Sequence, residues 1–342
     1  MHTLERFVTQ SLATAALLLM ATQACAASGA APTHTPAFAT YPTKPECVAP
    51  AKPGGGFDLT CRLAAAALED QLPVPMQVTF LPGGIGAAAY QLFTSQRATD
   101  NNALVAHSSG SLLNIATGKF GSLGGDDVRF VASAGADYGA VVVANASKLN
   151  NLQDLMAKLR GKASRVVFGG GGSVGSQDWV KAALVMRAAG GSPKGMRYVS
   201  FDGGGEALAS LDNGNIEVYT GDVSELRAHL RSGKFRVLAV LSEARLDGAL
   251  ADLPTAKEQG VDVTWASFRG FYMGKHVDPQ AYRFYVNAFN SAYASSQFAL
   301  LRADKGLSEF SLSGQAYHDY VLAQIKQLRD LVRQAGLLTP GQ

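Results

Sequence analysis

The sequence predicts an α/β protein made of two sets of strand–turn–helix units with a ligand cleft between them. Three observations carry this. Short β-branched runs alternate with helical patterns, which calls for parallel sheets. The strand ends carry glycine, serine or aspartate rather than bulky residues. Two long extended runs, near Tyr138 and near Phe268, join the sets. The 342 residues suffice for two domains with sizeable cores.

The first strand is Glu46 to Pro50. Pro53-Gly54-Gly55-Gly56 follows, with Asp58 as N-cap, and leads into a helix over Leu59–Leu68. A second strand, Met76–Leu81, is broken by Pro82-Gly83-Gly84, and Ile85 opens a helix. A third, Ala103–His107, passes through the turn Ser108-Ser109-Gly110-Ser111 into a helix from Leu112. Asp127–Ala132 and Asp137–Ala144 read as two strands, and Leu149–Leu159 has helical spacing. In the second set, Arg165–Phe168 ends in a glycine-serine loop over 169–176, ahead of a helix over Gln177–Ala189. Met196–Phe201 ends in Asp202-Gly203-Gly204-Gly205, with a short helix from Glu206. Ile216–Thr220 ends in Gly221-Asp222, with Ser224 as an N-cap, and Phe235–Leu241 closes the set. Val263–Gly274 is extended, and the chain from about Asp278 to near Leu338 is helical and amphipathic.

The N-terminus reads as an export signal over 1–26. Leu12–Met20 is an apolar core too short to span a bilayer, and Ala24-Cys25-Ala26 offers a cleavage site. A lipidated Cys25 is the alternative, against which Thr22 stands at the position usually held by Leu. Residues 27–40 form a leader rich in Ala, Thr and Pro. In an oxidising compartment Cys47 and Cys61 can pair, stapling the first strand to the first helix; two buried thiols are the alternative.

Composition excludes several classes. Charged residues make up 17 % and hydrophobic ones 47 %, which suits a packed chain rather than a disordered one. A net charge of +3 without long like-charge runs gives no footprint for nucleic acid. The histidines are scattered and no H-E-x-x-H or C-x-x-C occurs, so neither metal nor cofactor is expected. Gly170–Gly175 fits G-x-G-x-x-G, but no acidic residue follows at the required distance. Gly171–Gly175 also fits G-x-S-x-G around Ser173, but glycines separate that serine from its strand and no histidine context completes a triad. An exported serine hydrolase is therefore the lesser alternative to a receptor.

Glycine turns opening onto helix N-termini present backbone N–H groups to anions. Two basic residues stand near them. Lys52 precedes the first glycine turn, and Arg269 lies in the apolar run Phe268–Tyr272, where a charge needs a reason. That reason is either a local carboxylate or a fork for a ligand carboxylate. Asp202 and Asp222, at strand ends, read as turn formers near the ligand ahead of an acid–base pair.

In combination and order these pieces resemble the solute receptors of tripartite tricarboxylate transporters, the TctC or Bug family. They are Tyr41-Pro42-x-Lys44-Pro45, Pro53-Gly54-Gly55-Gly56-x-Asp58, Pro82-Gly83-Gly84-x-Gly86, the loop at 169–176, Phe201-x-Gly203-Gly204, Arg236–Val240 and Pro254-Thr255-x-x-Glu258-x-Gly260. The resemblance covers nearly the whole mature chain. It implies a type II periplasmic-binding-protein fold, with 41–137 plus 266–342 as one domain and 138–265 as the other. It also implies a monomeric periplasmic receptor without enzymatic activity, passing a carboxylate to a membrane permease. Ala51-Lys52, Arg269-Gly270 and the cysteine pair look like the citrate-binding branch; a dicarboxylate or aromatic acid is the alternative ligand. On that resemblance the ligand set is Lys52, Gly55, Gly56, Asp58, Gly84, Ser108, Ser109, Ser111, Ser173, Ser176, Asp202, Asp222 and Arg269, with Tyr138 at the hinge.

Overall fold

A computed structural model describes residues 42–230 and 232–334. The export signal, the leader, Cys25, Tyr41 and the chain past 334 lie outside the described residues.

In the first half, β1 (Glu46–Ala49) leads through the glycine turn into α1 (Gly56–Ala67). Next come β2 (Gln77–Phe80), α2 (Ala87–Phe93), β3 (Ala103–Ser108) and α3 (Ser109–Ala116). β4 (Val128–Ala144) carries the chain across to α4 (Leu152–Lys162), β5 (Val167–Gly171), α5 (Gln177–Ala188), β6 (Arg197–Phe201) and α6 (Gly204–Asp212). β7 (Val218–Asp222), α7 (Val223–Leu230) and β8 (Phe235–Val240) complete the second half. β9 (Ala266–Gly274) returns the chain to α8 (Pro279–Tyr293), α9 (Ser296–Asp304) and α10 (Gly314–Gln334).

The strands form one nine-stranded curled sheet in the order β2-β1-β3-β9-β4-β7-β5-β6, with β8 also on β4. β1 pairs in parallel with β2 and β3, and β5 in parallel with β6 and β7. β9 and β4 run antiparallel to each other between these sets. Helices cover both faces, as parallel pairs require. α1 and α8 pack on one side of the first half, and α2, α3 and α10 on the other. α4 and α5 oppose α6 and α7 in the second half.

The two strands expected around residue 134 are one 17-residue strand. The register shifts at Phe130/Ala132 and at Ser133/Gly135, so bulges at small residues bend β4 without ending it. Its start pairs with β9 as far as Tyr138↔Ala266, and from Gly139↔Asp222 it pairs with β7 and β8. The expected loop at 169–176 is shorter, because Gly169–Gly171 belong to β5. A Cβ at Gly170 would lie 2.6 Å from the Asp178 Cβ, so these glycines let α5 sit close on the strand.

Four helix starts also differ from expectation. Gly55, not Asp58, is the N-cap of α1; Asp58 lies in the first turn, and its Oδ2 accepts the Gly54 N–H at 2.8 Å. Ser108–Ser111 is no turn but a capping box. The Ser108 hydroxyl accepts the Gly110 N–H at 3.2 Å, and the Ser111 hydroxyl accepts the Ser108 N–H at 3.4 Å. Ser224 lies inside α7, and its hydroxyl donates to Asp137 Oδ2 at 2.6 Å rather than capping. Ile85 precedes α2 with φ +49 instead of opening it.

Cys47 and Cys61 form a disulfide, buried between β1 and α1, with Cα atoms 5.4 Å apart. Replacing both by serine is expected to lower the unfolding free energy by about 3 kcal/mol through the freed loop. The check is a lower urea midpoint, with a steeper slope as the freed loop lets the unfolded chain expand.

Candidate functional site

The carboxyl ends of the parallel strands converge between the two halves, the place where open α/β sheets hold ligands. A cavity of about 380 Å³ opens there, with Gly84, Ile85, Asn114 and Lys119 on one side and Ser173, Ser176 and Asp202 on the other. A smaller cavity of about 40 Å³ shares Ile85, Asn114 and Ser176 with it and reaches Gly55, Gly56, Gln177 and Arg269.

Beneath the cavities lies a buried ion cluster. Arg269 is 2 % exposed; its Nε donates to Asp137 Oδ2 at 2.7 Å and its Nη2 to Asp222 Oδ2 at 2.8 Å. Lys181 is fully buried and donates to Asp222 Oδ1 at 2.6 Å and to Asp178 Oδ1 at 2.8 Å. Burial pushes the Asp178 carboxyl up to about 7 and the Asp137 carboxyl up to about 6, while the neighbouring Asp222 adds to the rise. Asp222 keeps a carboxyl below the usual range: burial opposes its charge, and Lys181 and Arg269 outweigh that.

The two halves touch through small groups. The Gly56 N–H, at the start of α1, donates to Glu225 Oε1 at 2.8 Å. Glu225 Oε2 also accepts the Tyr219 hydroxyl and the Asp222 N–H. A Cβ at Gly205 would lie 2.9 Å from the Gly54 carbonyl carbon, and one at Gly204 would lie 2.3 Å from Glu225 Oε2. Gly205 is thus required by close approach of the Gly54 backbone, and Gly204 by the Glu225 side chain. Lys52 Nζ bridges to Glu206 at 2.5 Å. Lys119 Nζ reaches the Val174 carbonyl at 2.9 Å and the Ser173 hydroxyl at 3.5 Å.

Residues 63–337 match the sequence profile described as "Tripartite tricarboxylate transporter family receptor". The chain belongs to this family. Its members are substrate-binding receptors rather than enzymes. Protein BugT of Bordetella pertussis is 26 % identical over 303 residues, covering 87 % of this chain and 91 % of its own. MatC from Rhodopseudomonas palustris, solved with bound malate, superposes with a TM-score of 0.72 at 20 % identity, covering 84 % of this chain and 98 % of its own. An R. palustris protein solved with adipate gives 0.77 at 19 % identity, covering 87 % and 99 %. These neighbours show the type II periplasmic-binding-protein fold. No described helix is long and apolar enough to cross a membrane.

Within this receptor fold, Gly84, Ser173, Ser176 and Asp202 line the larger cavity, and Gly55, Gly56, Ser108, Ser176 and Arg269 the smaller one. Others stand apart. The Ser109 hydroxyl accepts the Phe268 N–H at 3.0 Å, and Ser111 caps α3. Tyr138 packs against an apolar cluster of the second half. Asp58 faces a different cavity and pairs with Arg62, and Lys52 is committed to Glu206. Arg269 has the local carboxylates that its apolar setting demanded, and Asp222 is one of them.

Sequence reasoning missed Lys119, Asn114, Glu225 and the Asp178–Lys181 pair. A lysine inside Trp179-Val180-Lys181-Ala182-Ala183 was as conspicuous as Arg269 and is its counterpart in the cluster. Lys119, in a short turn after α3, gave no such signal. Among the described residues no group of three or more His, Cys, Asp or Glu side chains is arranged to hold a metal ion.

Arg269→Ala would leave Asp137 buried without a cation and Asp222 with Lys181 alone. A loss of about 3–5 kcal/mol in unfolding free energy is expected, measurable by urea denaturation at pH 7. Asp178 and Asp137 carry folded-state values above the ordinary carboxylate value of 3.8, so the folded protein holds more protons than the unfolded one between there and about 7. Stability contributed by these groups is complete below the unfolded value and is lost as pH rises through the folded ones. The melting temperature is therefore expected to fall between about pH 5 and pH 8, and Asp178→Asn to flatten that slope.

Proposed function

We propose that the chain is a periplasmic receptor that captures a small dicarboxylate in the 380 Å³ cavity and delivers it to the membrane subunits of a tripartite tricarboxylate transporter. The observation that carries this reading is Lys119. Its ammonium lines the cavity, and among the described residues no carboxylate lies within ion-pairing distance. Lys119 is exposed, and partial desolvation lowers its pKa; the chain answers its ammonium with a carbonyl and a hydroxyl, and a ligand carboxylate would add the opposite charge. Asn114, 3 % exposed, lines the same cavity with its Oδ1 unpartnered, an acceptor that suits a ligand hydroxyl.

Charge argues for a dicarboxylate over citrate. The counter-charges expected for a trianion, Lys52 and Arg269, are taken by Glu206, Asp137 and Asp222. Asp202 and Glu206 also line the cavity and repel a third carboxylate. The structural neighbours solved with malate and adipate support this class. Export fits the disulfide, since such bridges persist in oxidising compartments. On this reading 41–137 with 266–342 and 138–265 are two domains that close as a monomer about the crossings at Tyr138 and Ala266, and no metal or cofactor takes part.

Calorimetric titration of the mature protein with malate, adipate and citrate tests the assignment. One-to-one binding of a dicarboxylate tighter than citrate is expected. Lys119→Met should weaken it by about 2 kcal/mol, roughly thirty-fold. Citrate binding more tightly than both dicarboxylates, or an unchanged affinity in Lys119→Met, would overturn the proposal.

A further inference from the structure

A third cavity, of about 300 Å³, shares Gly55 and Glu225 with the small cavity and no residue with the 380 Å³ one. It lies where α1 and the end of α9, from the first half, meet α7 from the second. The turn after α9 fits closely there: a Cβ at Gly306 would lie 3.3 Å from the Ser224 Cα and 3.5 Å from the Arg227 Cβ.

The acids around this cavity are already engaged. Asp58 accepts the Gly54 N–H and pairs with Arg62, Glu225 takes the Gly56 N–H and the Tyr219 hydroxyl, and Asp304 pairs with Lys305. Arg227 is the exception. Among the described residues it has no hydrogen bond and no ion pair, and its Nε is buried without a partner. A guanidinium is charged at every relevant pH, and a buried N–H without an acceptor is costly. His229 lines the same cavity, its ring set edge-on against Phe235 at 5.6 Å, and Arg62 and Lys305 bring two further cations to the wall.

We infer that this cavity is a second binding site, separate from the dicarboxylate cavity, for a small oxyanion held by the Arg227 fork. Phosphate, sulfate and simple carboxylates share the required chemistry, a compact anion with two oxygens for a planar fork. Its walls come from both halves of the chain, so an anion bound there favours the closed arrangement and strengthens binding in the ligand cavity.

Inorganic phosphate, titrated into the mature protein at constant ionic strength, is the probe, with acetate as the carboxylate arm. A saturable rise in melting temperature is expected. Arg227→Gln should weaken the response about tenfold or more, while Lys119→Met, which disables the dicarboxylate cavity, should retain it. Selenate located by anomalous scattering in wild-type crystals provides a readout that does not depend on how the variant folds, and it should lie beside Arg227. No response to millimolar phosphate, an equal response in Arg227→Gln, or selenate only at other places would each overturn the inference. Loss of the response in Lys119→Met alone would assign the anion to the dicarboxylate cavity instead and would also refute it.

Discussion

The arrangement depends on one buried guanidinium. Arg269 stands where β9, β4 and β7 meet and binds Asp137 from one and Asp222 from another. Asp222 then holds Lys181, and Lys181 holds Asp178, so α5 is fixed to the same point. Ser224 at the start of α7 is tied in through Asp137. Such a cluster adds little net stability against an apolar core of equal volume, but losing one member leaves a bare buried charge. It therefore specifies geometry. In this arrangement of the crossing strands and the helices flanking the cleft, each carboxylate of the cluster has a cation partner. Gly56 belongs to the same constraint, because a Cβ there would lie 2.0 Å from Arg269 Nη1.

That cluster also changes what the glycine turns mean. A turn opening onto a helix N-terminus is an anion site only if its N–H groups lack other partners. Here the protein supplies them. Glu225 answers α1, the Ser108–Ser111 box answers α3, and the Ser176 hydroxyl accepts the Trp179 N–H at 3.4 Å at the head of α5. Glu206 accepts the Asp202 N–H at 3.2 Å ahead of α6. Part of the backbone device visible in the sequence is thus answered from within. Gly55 and Gly205 are kept by backbone approach between the halves, Gly56 and Gly204 by the room they leave for Arg269 and Glu225, and on the proposed reading side chains such as Lys119 and Asn114 take part in selecting the solute.

The same contrast separates what was legible in the sequence from what was not. Parallel strand–helix alternation was legible because both periodicities are local. The continuity of β4 was not, because its bulges, at Phe130/Ala132 and Ser133/Gly135, adjoin the run of small residues Ala132–Ala136 that reads as a break. Gly169–Gly171 looked like loop because the reason for glycine there is the distant Asp178 on α5. Arg269 was legible as a charge that needed a reason, yet Asp137 and Asp222 lie far away along the chain, and only the fold brings them to it. Lys119 carries no local abnormality at all; its importance comes from the carbonyl and hydroxyl, rather than carboxylate, that the opposite half presents to it.

The contacts between the halves suit a receptor that must release what it binds. They include glycines against glycines, the polar links of Lys52 to Glu206, Gly56 to Glu225 and Lys119 to Val174, and the buried links of Arg269 to Asp222 and Ser224 to Asp137. The four apolar clusters sit on either side of the halves' own sheets. Exposed ion pairs such as Lys52–Glu206 hold little free energy, and the buried Arg269–Asp222 pair offsets much of its Coulomb gain by desolvation. A ligand with modest differential affinity can then decide the population. Glu225 and Lys119 each make their link to a neutral group. On the proposed reading a bound carboxylate would give Lys119 the opposite charge that the chain does not, and occupancy would favour the arrangement in which that site is complete.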